Sequence, residues 1–324
     1  MVVDPRKFLA VTFNPARDAT YVLERFVRGS VNRVVRQQVM AGGKGNNVAR
    51  VLVAYGHSVR VTGFLAGNAG FFIDDGLRAA GIETAFSWLE SGESRTCHTL
   101  IESESGVISE VLESGPTVGA REGEAFLADL PARLVGIDTV VVSGSLPPGL
   151  EGPFLTDFMA IARQHCTRLM IDSSGEGLRI ALAGGPDLIK PNERELATLM
   201  GGTPSTTEMV RYAQEDMIGS VMPSDGRVLL SLAERGAMLI GRSEVWYAAS
   251  PPITPNEIVN TVGCGDALLA GFLDGCARNL PASDALAQAV AFGAAAALSE
   301  VAGVVERAEV DRLHAAVSAT PWRA

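Results

Sequence analysis

The chain has 324 residues, 47% of them apolar, with a positive mean hydropathy. That is enough to build the core of one large α/β domain or two smaller ones, and it excludes a disordered or fibrous chain. Its 27 Lys and Arg stand against 37 Asp and Glu, a formal charge of −10 with no long basic run, which argues against a nucleic-acid partner.

Taken from the start, MVVDPRKFLAVTFN lacks the cationic region, apolar stretch and small-residue cleavage site of a secretion signal. Residues 20–40 (TYVLERFVRGSVNRVVRQQVM) alternate apolar and polar side chains around a turn near Gly29 and read as a β-hairpin. A glycine turn then opens a helix over 41–56 (AGGKGNNVARVLVAYG), with Val48, Val51, Leu52 and Tyr55 on its apolar face. It is not a Walker A loop, because Lys44 is followed by Gly45 rather than Ser or Thr. A second hairpin is predicted over 94–114, turning near Gly106, and the two hairpins would pair as a small sheet outside the core. Within it, Cys97 and His98 are adjacent in a strand and point to opposite faces, which speaks for a structural rather than a metal-binding role. His57, His165 and His314 stand alone.

From residue 138 the chain follows a βαβ rhythm: a strand over 138–142, a helix over 152–165, a strand over 168–172, and a helix from about Gly175. Val140, Val141 and Val142 show no polar alternation, as expected of a strand covered on both faces. Similar units recur from Asp187 through a strand over 227–232. Near the C-terminus, residues 285–298 are interrupted by Gln288 and are shorter than the ~20 residues that span a bilayer. A buried helix is expected there, and no membrane partner. The cysteines Cys97, Cys166, Cys264 and Cys276 form no CxxC pair, which suits reduced thiols in a cytoplasmic protein. No repeat, low-complexity tract or long linker divides the chain, so one domain over 1–324 is expected, with lid segments at about 20–40 and 94–114.

The most informative segment is 260–272, NTVGCGDALLAGF. Gly263 and Gly265 allow a tight turn into an apolar helix, so that N–H groups and the positive helix end can converge on an anion, with Asp266 beside it as a base. The GxGxxG dinucleotide pattern fails here because Leu268 occupies its third glycine position.

Eight pieces in order carry a resemblance: TFNPARD at 12–18, GGKGNNVARVL at 42–52, TGFLAG at 62–67, SGSLPPG at 143–149, IDSSGE at 171–176, KPNERE at 190–195, SLAERGA at 231–237, and the Asp266 corner. The chain resembles the ribokinase-like (PfkB-type) carbohydrate kinases, in particular the branch of 1-phosphofructokinase and tagatose-6-phosphate kinase. The resemblance implies an α/β fold with a doubly wound, mostly parallel sheet, helices on both faces and a small β-lid. It also implies phosphoryl transfer from ATP with Mg²⁺.

By this match Asp266 is the general base, and the backbone at Gly263, Cys264 and Gly265 is the anion hole. Asp18, Gly43 and Asn47 face the sugar, and Lys44 and Arg95 reach a phosphate already on the acceptor, with Ser143 donating a further hydrogen bond. Lys190, Asn192, Glu195, Ser231 and Gly236 serve the nucleotide, and Glu195 helps organise Mg²⁺ through water. Read without the resemblance, Lys44 is a solvated charge, Arg95 pairs with a carboxylate such as Glu93, Asp18 caps a turn and Asn192 is a helix N-cap.

Arg17, Asn46 and Ala66 depart from the usual pattern beside the expected sugar site, as does the 109–116 stretch of the lid. Cys264 puts a thiol beside the phosphoryl path, and ATP is expected to protect it from thiol reagents. The reading is an ATP-dependent kinase of fructose 1-phosphate or tagatose 6-phosphate, with fructose 6-phosphate, then free sugars or nucleosides, as alternatives. A sugar-phosphate sensor without turnover is the reading from another class. The exposed lid also predicts a homodimer.

Overall fold

A computed structural model describes residues 7–323. A ten-stranded sheet forms its centre. From one edge, strands Arg227–Ser231, Leu188–Ile189, Arg168–Asp172, Thr139–Ser143, Lys7–Val11, Ser58–Thr62 and Glu83–Thr84 run parallel. Ala237–Ile240, Val245–Ala248 and Ala319–Pro321 extend the Arg227–Ser231 edge in antiparallel fashion.

Alternate side chains of one strand enter two separate cores. Phe8 and Ala10 pack with Val48, Leu52, Leu269 and Val290 on one face, whereas Leu9 and Val11 pack with Phe126, Leu130 and Phe158 on the other. This is why the strands read as unbroken apolar runs: each residue leaves water whichever way it points, and each fully buried Leu or Phe contributes about 1.5–3 kcal/mol. The helix Cys264–Ala277 is buried along nearly its whole length. It lies so close to the helix Ala282–Ala296 that a Cβ on Gly271 would come within 2.6 Å of Phe292.

The helix Gly152–His165 and the strand Arg168–Asp172 have the predicted bounds. The strand expected at 138–142 is shifted by one residue. The buried helix expected over 285–298 runs Ala282–Ala296, with Pro281 at its N-cap in a non-helical conformation, ψ 151°.

The four-stranded lid sheet runs Arg36–Gly42, Ala16–Leu23, Arg95–Glu102, Ile108–Leu112, joined at its centre by parallel pairing of Ala16–Leu23 with Arg95–Glu102. The first hairpin turns at Gly29 as expected, with the Ser30 N–H donating to the Val27 carbonyl at 3.3 Å and Gly29 left-handed at φ 83°, but its strands stop short of that turn. Residues 24–35 form a broad connection, because the Asn32 side chain takes the Val27 N–H at 2.8 Å and donates to the carbonyls of Val27 and Ser30 at 3.0 Å. A third sheet pairs Phe64–Leu65 with Ser87–Trp88.

The sheet order reverses between Lys7–Val11 and Thr139–Ser143. In open α/β sheets such a switch leaves a crevice beyond the carboxyl ends of the strands. The lid arises from that end of Lys7–Val11 and roofs the crevice.

Candidate active site

The crevice is a cleft of about 920 Å³, lined by the lid, the start of Lys44–Ala54, the strand ends and the start of Cys264–Ala277. Gly263 adopts the left-handed conformation, φ 84°, at the N-cap of the latter helix, which carries no side-chain cap. A Cβ at Gly263 would press on Ala302 at 3.0 Å. Glycine therefore meets both the torsion and the space requirement, and the first turn is left facing the cleft. Within the expected anion hole, the Cys264 N–H is directed to the Thr261 carbonyl at 3.4 Å.

Asp266 stands at this corner, 5% exposed, and accepts a hydrogen bond from Asn47 Nδ2 at 2.8 Å. Burial, and then the charge of Asp172, push its pKa up to about 7, against the opposing pull of Lys44, Asn47 and Lys190. Such a carboxylate is poised to take a proton near neutral pH.

Asp172 was not singled out by sequence. It ends the strand Arg168–Asp172 at 1% exposure, with Lys190 Nζ at 3.1 Å and Lys44 Nζ at 3.8 Å. Neither of its oxygens receives a well-directed hydrogen bond. Lys190 also sits 3.4 Å from where a Cβ on Gly265 would be, so its ammonium overlies the helix start.

The Lys44 ammonium lies 3.8 Å from Asp172, and its pKa is raised by Asp172, then Asp266 and Glu195, against burial. Three carboxylates, Asp172, Asp266 and Glu195, hold the ammonium there.

At the lid end, Asp18 lies against Gly42, where a Cβ would come within 1.9 Å of its carboxylate. It accepts from the Gly43 N–H, and its pKa rises to about 6 because burial outweighs Arg95, that hydrogen bond and Arg50. Arg95 donates Nε to the Asn14 carbonyl at 3.0 Å. Glu93 accepts instead from the Ala69 N–H, so it is not the partner of Arg95.

Along the opposite wall, Asn192 and Glu195 form a reciprocal capping box at 2.8 and 2.9 Å at the start of Glu193–Met200, while Ser231 and Gly236 line the cleft. Ser143 is 1% exposed, ends the strand Thr139–Ser143 and is paired in register with Asp172; it is not among the residues that line the cleft. Arg17, Asn46 and Ala66 do not line the cleft either. Arg17 covers the Phe72 ring, Asn46 donates to the Gly42 carbonyl, and the Ala66 N–H donates to Ser94 Oγ.

Cys264 lines the cleft, but burial and then Asp266 push its thiol up to about 12. A raised pKa lowers the share of thiolate, the nucleophilic form. Among the described residues no group of three or more His, Cys, Asp or Glu is disposed to hold a metal, and no helix is long and apolar enough to cross a membrane.

The family profile described as pfkB family carbohydrate kinase matches residues 11–306. The chain belongs to the PfkB family of carbohydrate kinases. Among PfkB relatives, tagatose-6-phosphate kinase of Staphylococcus epidermidis is 32% identical over 307 residues, covering 94% of this chain and 96% of that protein. The 1-phosphofructokinase of Rhodobacter capsulatus is 35% identical over 288 residues, covering 88% and 89%. Phosphofructokinase-2 from Escherichia coli, solved with fructose-6-phosphate, has a TM-score of 0.84 at 25% identity and covers 96% of this chain and 98% of that one. This PfkB chain is accordingly a phosphotransferase.

Proposed function

We propose that the chain transfers the γ-phosphoryl group of ATP to a hydroxyl of a ketohexose phosphate, either fructose 1-phosphate at O6 or tagatose 6-phosphate at O1. The observation that carries this reading is Asp266, buried at an uncapped helix start in the cleft with a pKa near 7. Asp266 accepts the hydroxyl proton as the oxygen attacks, and the N–H groups of the helix start receive the charge spread over the transferring phosphoryl oxygens. Lys190 and Lys44, held by Asp172, face the same charge. Asp18, Gly43 and Asn47 orient the sugar, and Arg95 receives the phosphate the acceptor already carries.

Asn192, Glu195, Ser231 and Gly236 hold the nucleotide along the opposite wall. The donors fit an Mg²⁺ ion kept mainly by nucleotide phosphates and water. Glu195 commits Oε2 to the Asn192 N–H, and the Asp172 oxygens, though Lys190 Nζ is 3.1 Å from Oδ1, receive no well-directed hydrogen bond. Such an ion supplies neutralisation of phosphate charge.

The lid belongs to a single catalytic domain acting in the cytoplasm, and its outer face pairs two copies. There Tyr21 stacks on His98 with centroids 5.6 Å apart, and Val111 is 57% exposed. A strictly monomeric particle by light scattering at micromolar concentration counts against the pairing.

The kinase reading is tested by ADP release over fructose 1-phosphate, tagatose 6-phosphate, fructose 6-phosphate, free ketoses, ribose and nucleosides. Turnover of a ketohexose phosphate is expected. Turnover of unphosphorylated acceptors alone would remove the role of Arg95, and no turnover of any acceptor would leave a sensor.

A further inference from the structure

Arg50 lies one turn beyond Asn47 on the helix Lys44–Ala54. Burial depresses its pKa to about 10, and its guanidinium points inward. Nη1 is 3.2 Å from Asn47 Oδ1 and 3.3 Å from the Ala302 carbonyl, and Nη2 donates to the Ala41 carbonyl. All three partners are acceptors, as a guanidinium requires.

That requirement decides the orientation of Asn47. An amide has one acceptor end and one donor end, and a group with donors only can face only the acceptor end. Oδ1 is therefore turned to Arg50 and Nδ2 to Asp266 Oδ2, at 2.8 Å. The opposite orientation would set an amide NH₂ against a guanidinium and an amide oxygen against a carboxylate, losing both hydrogen bonds. Asn47 is 4% exposed and Asp266 5%, so water does not easily replace either bond.

We infer that Arg50 is a positioning residue for phosphoryl transfer: by fixing the amide of Asn47 it makes Asn47 a donor to Oδ2 of Asp266 and leaves Oδ1 to face the acceptor hydroxyl. This rests on the reading of Asp266 as the base. Asp266 is also faced by Lys44 from the same helix as Asn47, Asp172 from the strand Arg168–Asp172, Lys190 just after Leu188–Ile189, and Cys264 on its own helix. Arg50 is itself faced by Asp18 from the lid. The same guanidinium ties Ala41 to Ala302, so a purely structural role has to be separated from the relay.

The test is the pH profile of kcat at saturating acceptor, with thermal melts of each variant. Arg50→Met is expected to lower kcat by roughly tenfold and to move the acid limb to higher pH, because the charged form of Asp266 loses a fixed donor. Arg50→Lys keeps one donor for Oδ1 and is expected to return the limb most of the way, although it cannot span all three partners. Asn47→Leu is expected to move the limb in the same direction, and adding Arg50→Met to it to move the limb no further. If Arg50→Met does not fold, Arg50→Lys and Asn47→Leu carry the test.

A lowered melting temperature with an unmoved limb would overturn the relay, as would additive limb shifts in the double variant. Failure of the underlying reading looks different: Asp266→Asn would then retain parental turnover. Loss of turnover in Asp266→Asn combined with an unmoved limb in the Arg50 variants removes the relay alone.

Discussion

Two carboxylates on the helix Cys264–Ala277, two turns apart, are buried almost equally: Asp266 is 5% exposed and Asp274 1%. Their chemistry is opposite. Burial alone would raise both, but Asp274 accepts His57 Nε2 at 2.8 Å, Arg278 Nε on both oxygens at 2.9 Å, and Gln288 Nε2 at 2.8 Å. Chiefly through His57 and Arg278, these bonds outweigh desolvation and hold its pKa below the usual carboxylate value. Asp266 has the single Asn47 donor and a like charge on Asp172. Burial is thus common to both carboxylates, and the supply of donors separates them. A saturated carboxylate has no capacity left for a substrate proton, whereas an undersupplied one at the edge of a cleft does.

The sharpest test of this contrast is kinetic. Asp266→Asn is expected to lower kcat by about 10²–10⁴-fold in an ADP-release assay, and Asp274→Asn to leave kcat of the folded protein within about twofold. Equal losses from both would erase the distinction. Next in size is stability. Asp274→Ala strands His57 and Arg278 and should cost about 3 kcal/mol in denaturant unfolding. A carboxylate whose folded pKa is depressed stabilises above its unfolded value of 3.8 and loses that contribution as pH falls through the lower folded value. The gap between parent and Asp274→Asn should therefore narrow below about pH 4.

Asp266 carries the reverse sign. Its raised pKa gives stability that is full below 3.8 and lost as pH climbs through about 7. Asp266→Asn should accordingly melt higher than the parent at pH 8, by roughly 2–4 °C, with the difference vanishing toward pH 4. A lower melting point at pH 8 would mean that Asp266 is better supplied with donors than its surroundings indicate. The smallest effect is expected at Cys264, on the same helix. Its thiol should alkylate at least about tenfold more slowly at pH 7.5 than an ordinary cysteine, as followed by mass spectrometry. Rapid labelling would show that the corner is wetter than its burial implies.

Legibility in the sequence followed the range of the interaction. The helix Gly152–His165 and the strand Arg168–Asp172 could be read to the residue because apolar periodicity and the intervening break are local. The glycines around Asp266 announced the corner for the same reason, and so did the Asn192 to Glu195 spacing of the capping box. The broad 24–35 connection escaped because a single side chain, Asn32, replaced the strand pairing that alternation predicted. Asp172 and Arg50 escaped because neither carries a local signal: one resembles a strand-end cap, the other a charge on a helix surface.

By itself the sequence determined the order of strands and helices, the glycine corner and the family, since short-range patterns and motif order encode them. Only the tertiary structure decided that Lys44 turns toward Asp172, that Ser143 is buried beside Asp172, that Asn47 presents its amide nitrogen to Asp266, and that Asp266 rather than Asp274 is short of donors. The reason is physical. The state of a buried charge depends on every donor and charge within a few ångströms, and around Asp266 these come from Asn47, Asp172 and Lys190, which only the sheet register brings together.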